Sequence, residues 1–357
     1  MKKLLALILA LTMVFGLCAC GQKETSSVSV EGDDGPKIIR SAYAFEQLTV
    51  GMTLGVDLLN NMYHEFNESQ DELYFEDVVV YSADYEIQNQ ISQLEDALIK
   101  KYDILMIQSL DDTAVMPYLR KISENGTVVM DVQGTMVVDD GGDDFLVHVV
   151  ACDHAAQGKY LADDIKAYLN ANPDVHLNMG LVWHDQSVTA ALARIRAIKE
   201  LSEEMPDRIT VLAEVYTSET AVAQSTMEDW IQAYPEMNYV ACSMDESALG
   251  IYNALKAAGK KPGEVMIGSI DGDTQGCTMI LEGYMTHCVA VSVTRINNMK
   301  AEAAFKVAKG EIGPGDTIAD DYLAYLDGLD RAGLEAHLVD NGWLTEDELD
   351  TLGWDNY

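Results

Sequence analysis

The chain has 357 residues, with 59 acidic against 23 basic side chains and a formal charge of -36. A surface that acidic repels phosphate backbones and anionic headgroups, which argues against nucleic acid and against peripheral membrane binding. The length exceeds what one hydrophobic core organises, so two domains are expected.

Lys2 and Lys3 precede an apolar run from Leu4 to Phe15. That run is shorter than the roughly 20 residues needed to span a bilayer. Small residues follow it, so residues 1–19 read as a secretory signal. Leu17-Cys18-Ala19-Cys20 resembles a bacterial lipobox, which implies cleavage before Cys20 and lipid on its thiol. More than one acyl chain makes such an anchor stable, at about 0.8 kcal/mol per buried methylene. Residues 20–36 are rich in Ser, Glu, Gly and Asp and read as a flexible tether.

Beyond the tether, β-branched runs alternate with helical patterns. Ile38 to Phe45 and Tyr74 to Tyr81 are expected strands, with a helix at Thr49 to Phe66 between them. Ile87, Ile91, Leu94 and Leu98 then form one stripe of an amphipathic helix. Strands are expected at Ile104 to Ile107, Thr127 to Met130 and Phe145 to Ala151, with a helix at Ala114 to Glu124. The alternation starts again at a helix over Ala155 to Asn170. Strands follow at Leu177 to Trp183, Ile209 to Val215, Tyr239 to Ser243, Val265 to Ile270 and Cys288 to Val293. Helices at Thr189 to Glu204, Ala221 to Ala233, Glu246 to Ala258 and Thr274 to Gly283 separate them, and Arg295 to Lys309 is one more. Repeated β-α units require crossover connections, so the fold class is α/β, with parallel sheets covered by helices on both faces. Gly342 to Leu349 reads as a short capped helix near the C-terminus.

The sequence carries no GxSxG, HExxH, P-loop or GxGxxG signature, and its seven His show no metal-ligand spacing. The reading therefore assigns no catalytic residue, no cofactor and no metal. Asp139-Asp140-Gly141-Gly142-Asp143-Asp144 lacks the ligand spacing of an EF-hand and reads as a solvated turn. Cys152, Cys242, Cys277 and Cys288 fit buried thiols, though sequence leaves disulfides open.

Polar residues at the carboxyl ends of strands stand out, because open α/β sheets bind ligands there. Asp131, Asp153, Asp245 and Asp271 each follow an expected strand, and Trp183-His184-Asp185 closes another. Any one of these Asp residues reads equally well as a helix N-cap.

Several of these positions sit in recognisable phrases. Met244-Asp245-Glu246-Ser247-Ala248-Leu249-Gly250, Gly268-Ser269-Ile270-Asp271-Gly272, Val128-Val129-Met130-Asp131 and Cys152-Asp153 with Gly158-Lys159 together resemble ribose-type periplasmic sugar-binding proteins. The resemblance covers about residues 37 to 318. It implies two Rossmann-like lobes joined by three crossings, near Ala151-Asp153, Ala290-Ser292 and Thr317-Tyr322. One lobe would comprise 37–151 with 292–318, the other 152–291 with 319–357. A ligand would lie between them and closure about the hinge would bury it.

The resemblance also implies a site built from Asp131, Asp271, Asp245, Arg194 and Asp153, with aromatic faces from Tyr43, Phe45 and Trp183, and with His184 beside them. The function implied is a monomeric, lipid-anchored solute-binding protein. It would capture a sugar-like molecule and deliver it to the permease of an ABC importer, or else present it to a receptor kinase or chemoreceptor. Departures from the family pattern at Val132, Met244, Leu192 and Val291 remove much of the polar shell, which shifts specificity away from ribose. Glu46, Gln47, His184 and Gln186 are candidate replacements. Trp343 and Trp354 lie beyond the usual family end, either packed on the second lobe or reaching the hinge and ligand.

Overall fold

The computed structural model describes residues 35–133, 136, 142–150, 153–186, 188, 190–319 and 323–354. The signal segment, Cys20 and most of the tether lie outside these residues. So do the crossing residues Ala151, Cys152 and 320–322, and Asp139, Asp140 and Gly141 of the acidic turn.

The first part of the chain runs β1 (Lys37–Ile39), β2 (Ser41–Phe45), α1 (Val50–Ser69), β3 (Leu73–Phe75), β4 (Val79–Ser82), α2 (Ile87–Lys100), β5 (Ile104–Ile107), α3 (Asp112–Glu124), β6 (Val128–Asp131) and β7 (Leu146–Val150). The second runs α4 (His154–Ala171), β8 (Leu177–Trp183), α5 (Ala193–Glu204), β9 (Ile209–Tyr216), α6 (Thr220–Ala233), β10 (Tyr239–Cys242), α7 (Asp245–Ala257), β11 (Met266–Asp271), α8 (Thr274–Leu281) and β12 (Met285–Ala290). The chain finishes with α9 (Val293–Lys309), β13 (Thr317–Ala319), β14 (Ala324–Tyr325) and α10 (Arg331–Asp340).

These strands form two main sheets. The first, in order β4-β2-β5-β6-β7-β13, is wholly parallel. The second, in order β9-β8-β10-β11-β12-β14, is parallel except where β14 runs against β12. Its first strand, β8, lies between β9 and β10, and β2 likewise lies between β4 and β5 in the other sheet. The winding reverses at both places, and loops diverge there to leave a crevice at the carboxyl edge.

Alternation along each strand supplies a core to both faces of its sheet. Ala42 and Ala44 of β2 pack with α2 and α3, whereas Tyr43 and Phe45 pack with α1 and α9. In the second sheet, Val240 and Cys242 of β10 pack toward α6 and α7, and Tyr239 and Ala241 toward α4 and α5. Helix starts are fixed by side chains that accept orphan amides: Thr49 for α1, Asp111 for α3, Asp153 for α4, Asp273 for α8 and Asp330 for α10. Cys242, Cys277 and Cys288 are free, fully buried thiols. Among the described residues no helix is long and apolar enough to cross a membrane.

The expected strands Ile38 to Phe45 and Tyr74 to Tyr81 are each broken in two. β1 pairs with β3 in a separate parallel ribbon, while β2 and β4 join the main sheet. Asp103 causes the first break: its carboxylate takes the Arg40 amide at 2.8 Å, and its own amide reaches the Arg40 carbonyl at 2.8 Å. The strand expected at Cys288 to Val293 is Met285–Ala290 instead. Ser292 accepts the Arg295 amide at 3.2 Å and starts α9 at Val293. The capped turn near the C-terminus is a 3₁₀ helix, Glu346–Leu352, closed by a Thr345–Glu348 capping box.

The C-terminal extension packs on the second lobe and also meets the first. Leu326, Leu334, Leu338 and Trp354 enter the second lobe's core, where the Trp354 indole donates to the Thr278 hydroxyl at 3.1 Å. Trp343 packs against the same lobe and also lies against Gly51 of α1 in the other. Beside it, the Thr294 amide at the start of α9 donates to the Asn341 carbonyl at 3.2 Å.

Helices α4 and α5 touch through Gly158. A Cβ there would stand 2.4 Å from the Arg194 carbonyl oxygen and 2.7 Å from that of Ala193. Backbone atoms cannot rotate aside, so Gly158→Ala is expected to push the helices apart at a cost of about 1–3 kcal/mol. A lowered urea midpoint checks this.

Candidate functional site

The two lobes meet along a seam at the carboxyl ends of their strands. Ala83 and Leu110 from one lobe pack with Val188 and Ala191 from the other. Asp84 and Tyr85 hold φ of 52° and 58°, a left-handed pair that is costly for non-glycine residues. The bend carries Tyr85 across the seam, where its ring stands 6.1 Å from His184 and its hydroxyl bonds with Ser218.

Arg194, on α5, occupies the centre and is only 6% exposed. Its Nε donates to Gln157 Oε1 at 2.8 Å and to His154 Nδ1 at 3.1 Å, both on α4. Its Nη1 donates to the Ser243 carbonyl at 2.9 Å and lies 3.1 Å from Asp271 Oδ1. From the opposite lobe, Gln133 Nε2 donates to Glu46 Oε1 at 2.8 Å and stands 3.5 Å from His154 Nε2. A polar chain therefore runs Glu46, Gln133, His154, Arg194, Asp271 from one sheet edge to the other.

Asp271 ends β11 with φ of 123°, and Gly272 follows at 70°. Two groups hold this turn. Asp245 Oδ2 accepts the amides of Gly272 and Asp273 at 2.8 and 3.0 Å, and His337 Nε2 of α10 donates to the Gly272 carbonyl at 2.7 Å. Strain retained in this way is characteristic of functional positions.

The electrostatics of the seam are balanced. Burial pushes the His154 imidazole well below its usual range and His184 down to about 4, so both rings are neutral at pH 7. Burial raises Asp271, and Arg194 opposes that shift. Burial also pushes Glu46 up to about 7, against the pull of Lys300 and Arg194. Among the buried side-chain atoms without a partner are Ser109 Oγ after β5, His184 Nδ1 after β8, Ser243 Oγ after β10 and Asp245 Oδ1 at the start of α7. Buried groups of this kind normally have partners, so each needs an explanation.

The structure brings Asp271, Arg194 and His184 to the seam and gives other expected residues different work. Tyr43 and Phe45 are packed in the first lobe's core, an edge-to-face pair 4.9 Å apart, because both face α1 and α9. Trp183 stacks on Tyr216 at 5.4 Å and donates to Glu214 at 2.8 Å. Asp153 caps α4 through the Ala156 amide at 2.9 Å. Asp131 folds its own loop, accepting the amides of Gln133 at 3.1 Å and Met136 at 2.9 Å, with His148 Nδ1 at 3.2 Å. Asp245 holds the Asp271 turn. Gln186 is exposed and Gln47 half-buried. Sequence reasoning missed Gln133, His154, Gln157, Tyr85, Ser109 and Ser243. Gln133 and His154 lie two and one positions beyond Asp131 and Asp153, where the strand-end argument applied equally.

Two parallel α/β lobes joined by three crossings and meeting over a polar seam define a hinged two-lobe binding protein, a non-enzymatic fold. Residues 53–312 match the periplasmic binding protein domain model, and the chain belongs to that family. A putative rhizopine-binding protein of Rhizobium meliloti is 23% identical over 74% of this chain and 85% of its own length. The ribose import binding protein of Bacillus subtilis is 22% identical over 87% and 95%. Among solved structures, a galactofuranose binding protein superposes with TM-score 0.72 at 17% identity, over 86% of this chain and all 100% of that one. An ABC transporter solute binding protein from Bacillus halodurans with bound myo-inositol gives 0.70 at 18%, over 88% and 100%.

Glu46 supplies a pH test. Its folded pKa of about 7 exceeds the ordinary 4.5, so the folded state holds its proton more tightly. Its contribution to stability is therefore full below pH 4.5 and is lost as pH rises toward 7. Glu46→Gln keeps the bond from Gln133 and removes the buried charge. Thermal melts should show the variant above wild type at about pH 8, with the difference vanishing below pH 4.5.

Proposed function

We propose that this chain is a lipid-anchored extracytoplasmic solute-binding protein that closes on an uncharged, polyhydroxylated ring and delivers it to an ABC importer. The observation that carries this reading is the set of unpartnered atoms Ser109 Oγ, His184 Nδ1 and Ser243 Oγ at the two winding reversals, inside a seam whose central cation, Arg194, is already paired with Asp271. Hydroxyls both donate and accept, so a polyol satisfies such atoms, whereas a charged guest would upset the balance. Family membership supports capture of a small solute. Relatives and neighbours named for ribose, rhizopine, galactofuranose and myo-inositol support a sugar or cyclitol.

In this reading Asp271, Arg194, His184, Glu46 and Gln133 contact the guest, while Asp131, Asp153 and Asp245 position the loops that carry them. Tyr43, Phe45 and Trp183 set the shape of the lobes beneath. The lobe boundaries follow the crossings after β7, at Val291-Ser292 and after β13. The anchor rests on the lipobox at Cys20, which keeps a monomeric receptor beside its permease.

A thermal-shift screen of monosaccharides, disaccharides, cyclitols and nucleosides should yield a compound that raises the melting temperature, since a ligand selective for the folded state must do so. Asp271→Asn should weaken that compound by about tenfold to a hundredfold, the equivalent of about 1.5–3 kcal/mol, without unfolding the chain. Unchanged affinity in calorimetry removes Asp271 from the site, and binding of charged compounds alone overturns the reading. Separately, Cys20→Ala should abolish incorporation of radiolabelled palmitate and release the protein into the medium. Retained label refutes the anchor.

A further inference from the structure

A second cluster lies in the lobe of the β12 sheet, apart from the seam. Among the described residues, Asp164 of α4, His287 of β12 and Asp327 after β14 each offer a ligand atom, and these atoms lie within 4.8 Å of one another. We propose that this triad binds a single divalent transition-metal ion of the Zn²⁺ or Mn²⁺ class. An imidazole with two carboxylates suits such ions, and three protein ligands leave a position for water.

The surroundings fit a built site. His287 is only 2% exposed, and its Nδ1 lies 2.9 Å from the Tyr239 hydroxyl. With that hydroxyl accepting from Nδ1, Nε2 keeps its lone pair, which is the arrangement that orients metal-ligating imidazoles. Gly268 makes room for Tyr239, because a Cβ there would stand 2.1 Å from the hydroxyl oxygen. Asp164 Oδ2 is buried without a partner. Asp327 fixes Oδ1 by accepting the Cys288 amide at 3.0 Å and is exposed, which provides an entry path. One face of α4 covers the cluster: the Tyr168 ring lies 5.2 Å from His287, and the Tyr160 ring 5.4 Å from Tyr325.

Without a cation, the carboxylates of Asp164 and Asp327 repel each other across the cluster. An ion relieves that repulsion and ties three separate parts of the lobe together: α4, β12 and the start of the C-terminal extension. Sequence spacing gave no sign of it, since the three ligands come from distant segments.

Zinc chloride and manganese chloride titrated calorimetrically into the EDTA-treated full chain provide the test. One equivalent of at least one ion should bind and raise the melting temperature. Asp164→Asn and Asp327→Asn should each weaken binding about tenfold or more. Asp77→Asn, at the exposed His64–Asp77 pair, should leave it unchanged. In the wild-type chain, substoichiometric Mn²⁺ should broaden the His287 ring resonances in NMR, a readout that needs no variant to fold. No saturable binding, binding indifferent to both substitutions, or broadening confined to other histidines overturns the site. So does stabilisation by Asp164→Asn that is identical with and without metal, which marks repulsion between carboxylates only.

Discussion

A guanidinium taken out of water is tolerable only where partners meet it, and Arg194 draws three separate pieces of chain onto its Nε and Nη1. His154 and Gln157 come from α4, the Ser243 carbonyl from the end of β10 and Asp271 from the end of β11. Removing either member of such a buried pair leaves the other uncompensated, which is costly. The rest of the seam is arranged to suit that fixed cation. Both nearby imidazoles are neutral, the strained Asp271 turn is clamped from two sides, and Gly158 gives up its side chain so that α5 can approach α4.

Much of the architecture was legible because parallel sheets covered on both faces leave a plain signature. β5 and β10 are short apolar runs bounded by polar turns, and their helices carry clear stripes. The breaks at Arg40 and before Val79 were not legible. They depend on Asp103 and Asn60 reaching across from other elements, and no local pattern encodes that. The same distinction applies to the site. Strand-end position singled out Asp271 and His184, which lie at the seam. It also singled out Asp131, Asp153 and Asp245, whose carboxylates face backbone amides. Nothing within three residues distinguishes a carboxylate that caps a loop from one that faces a gap. Arg194 was found through family likeness, since an Arg in the first turn of an amphipathic helix offers no other clue.

The extension changes how the two lobes are coupled. A hinge made only of three crossings is limited by the crossings themselves. Here Trp343 lies against α1 of one lobe while packing on the other, and Asn341 holds the first turn of α9. His337 from the same segment reaches the Gly272 carbonyl. Residues beyond the family's usual end thus touch the hinge, the far lobe and the turn that presents Asp271.

The three interior thiols have a consequence for life outside the cytoplasm. Burial drives the Cys242, Cys277 and Cys288 thiols far above their ordinary range, and solvent does not reach them. Thiol–disulfide exchange proceeds through the thiolate, so these sulfurs are chemically silent while the lobe stays folded. An oxidising exterior then acts only on molecules that have opened. For these three thiols, resistance to oxidants is set by the rate of unfolding rather than by their redox potential.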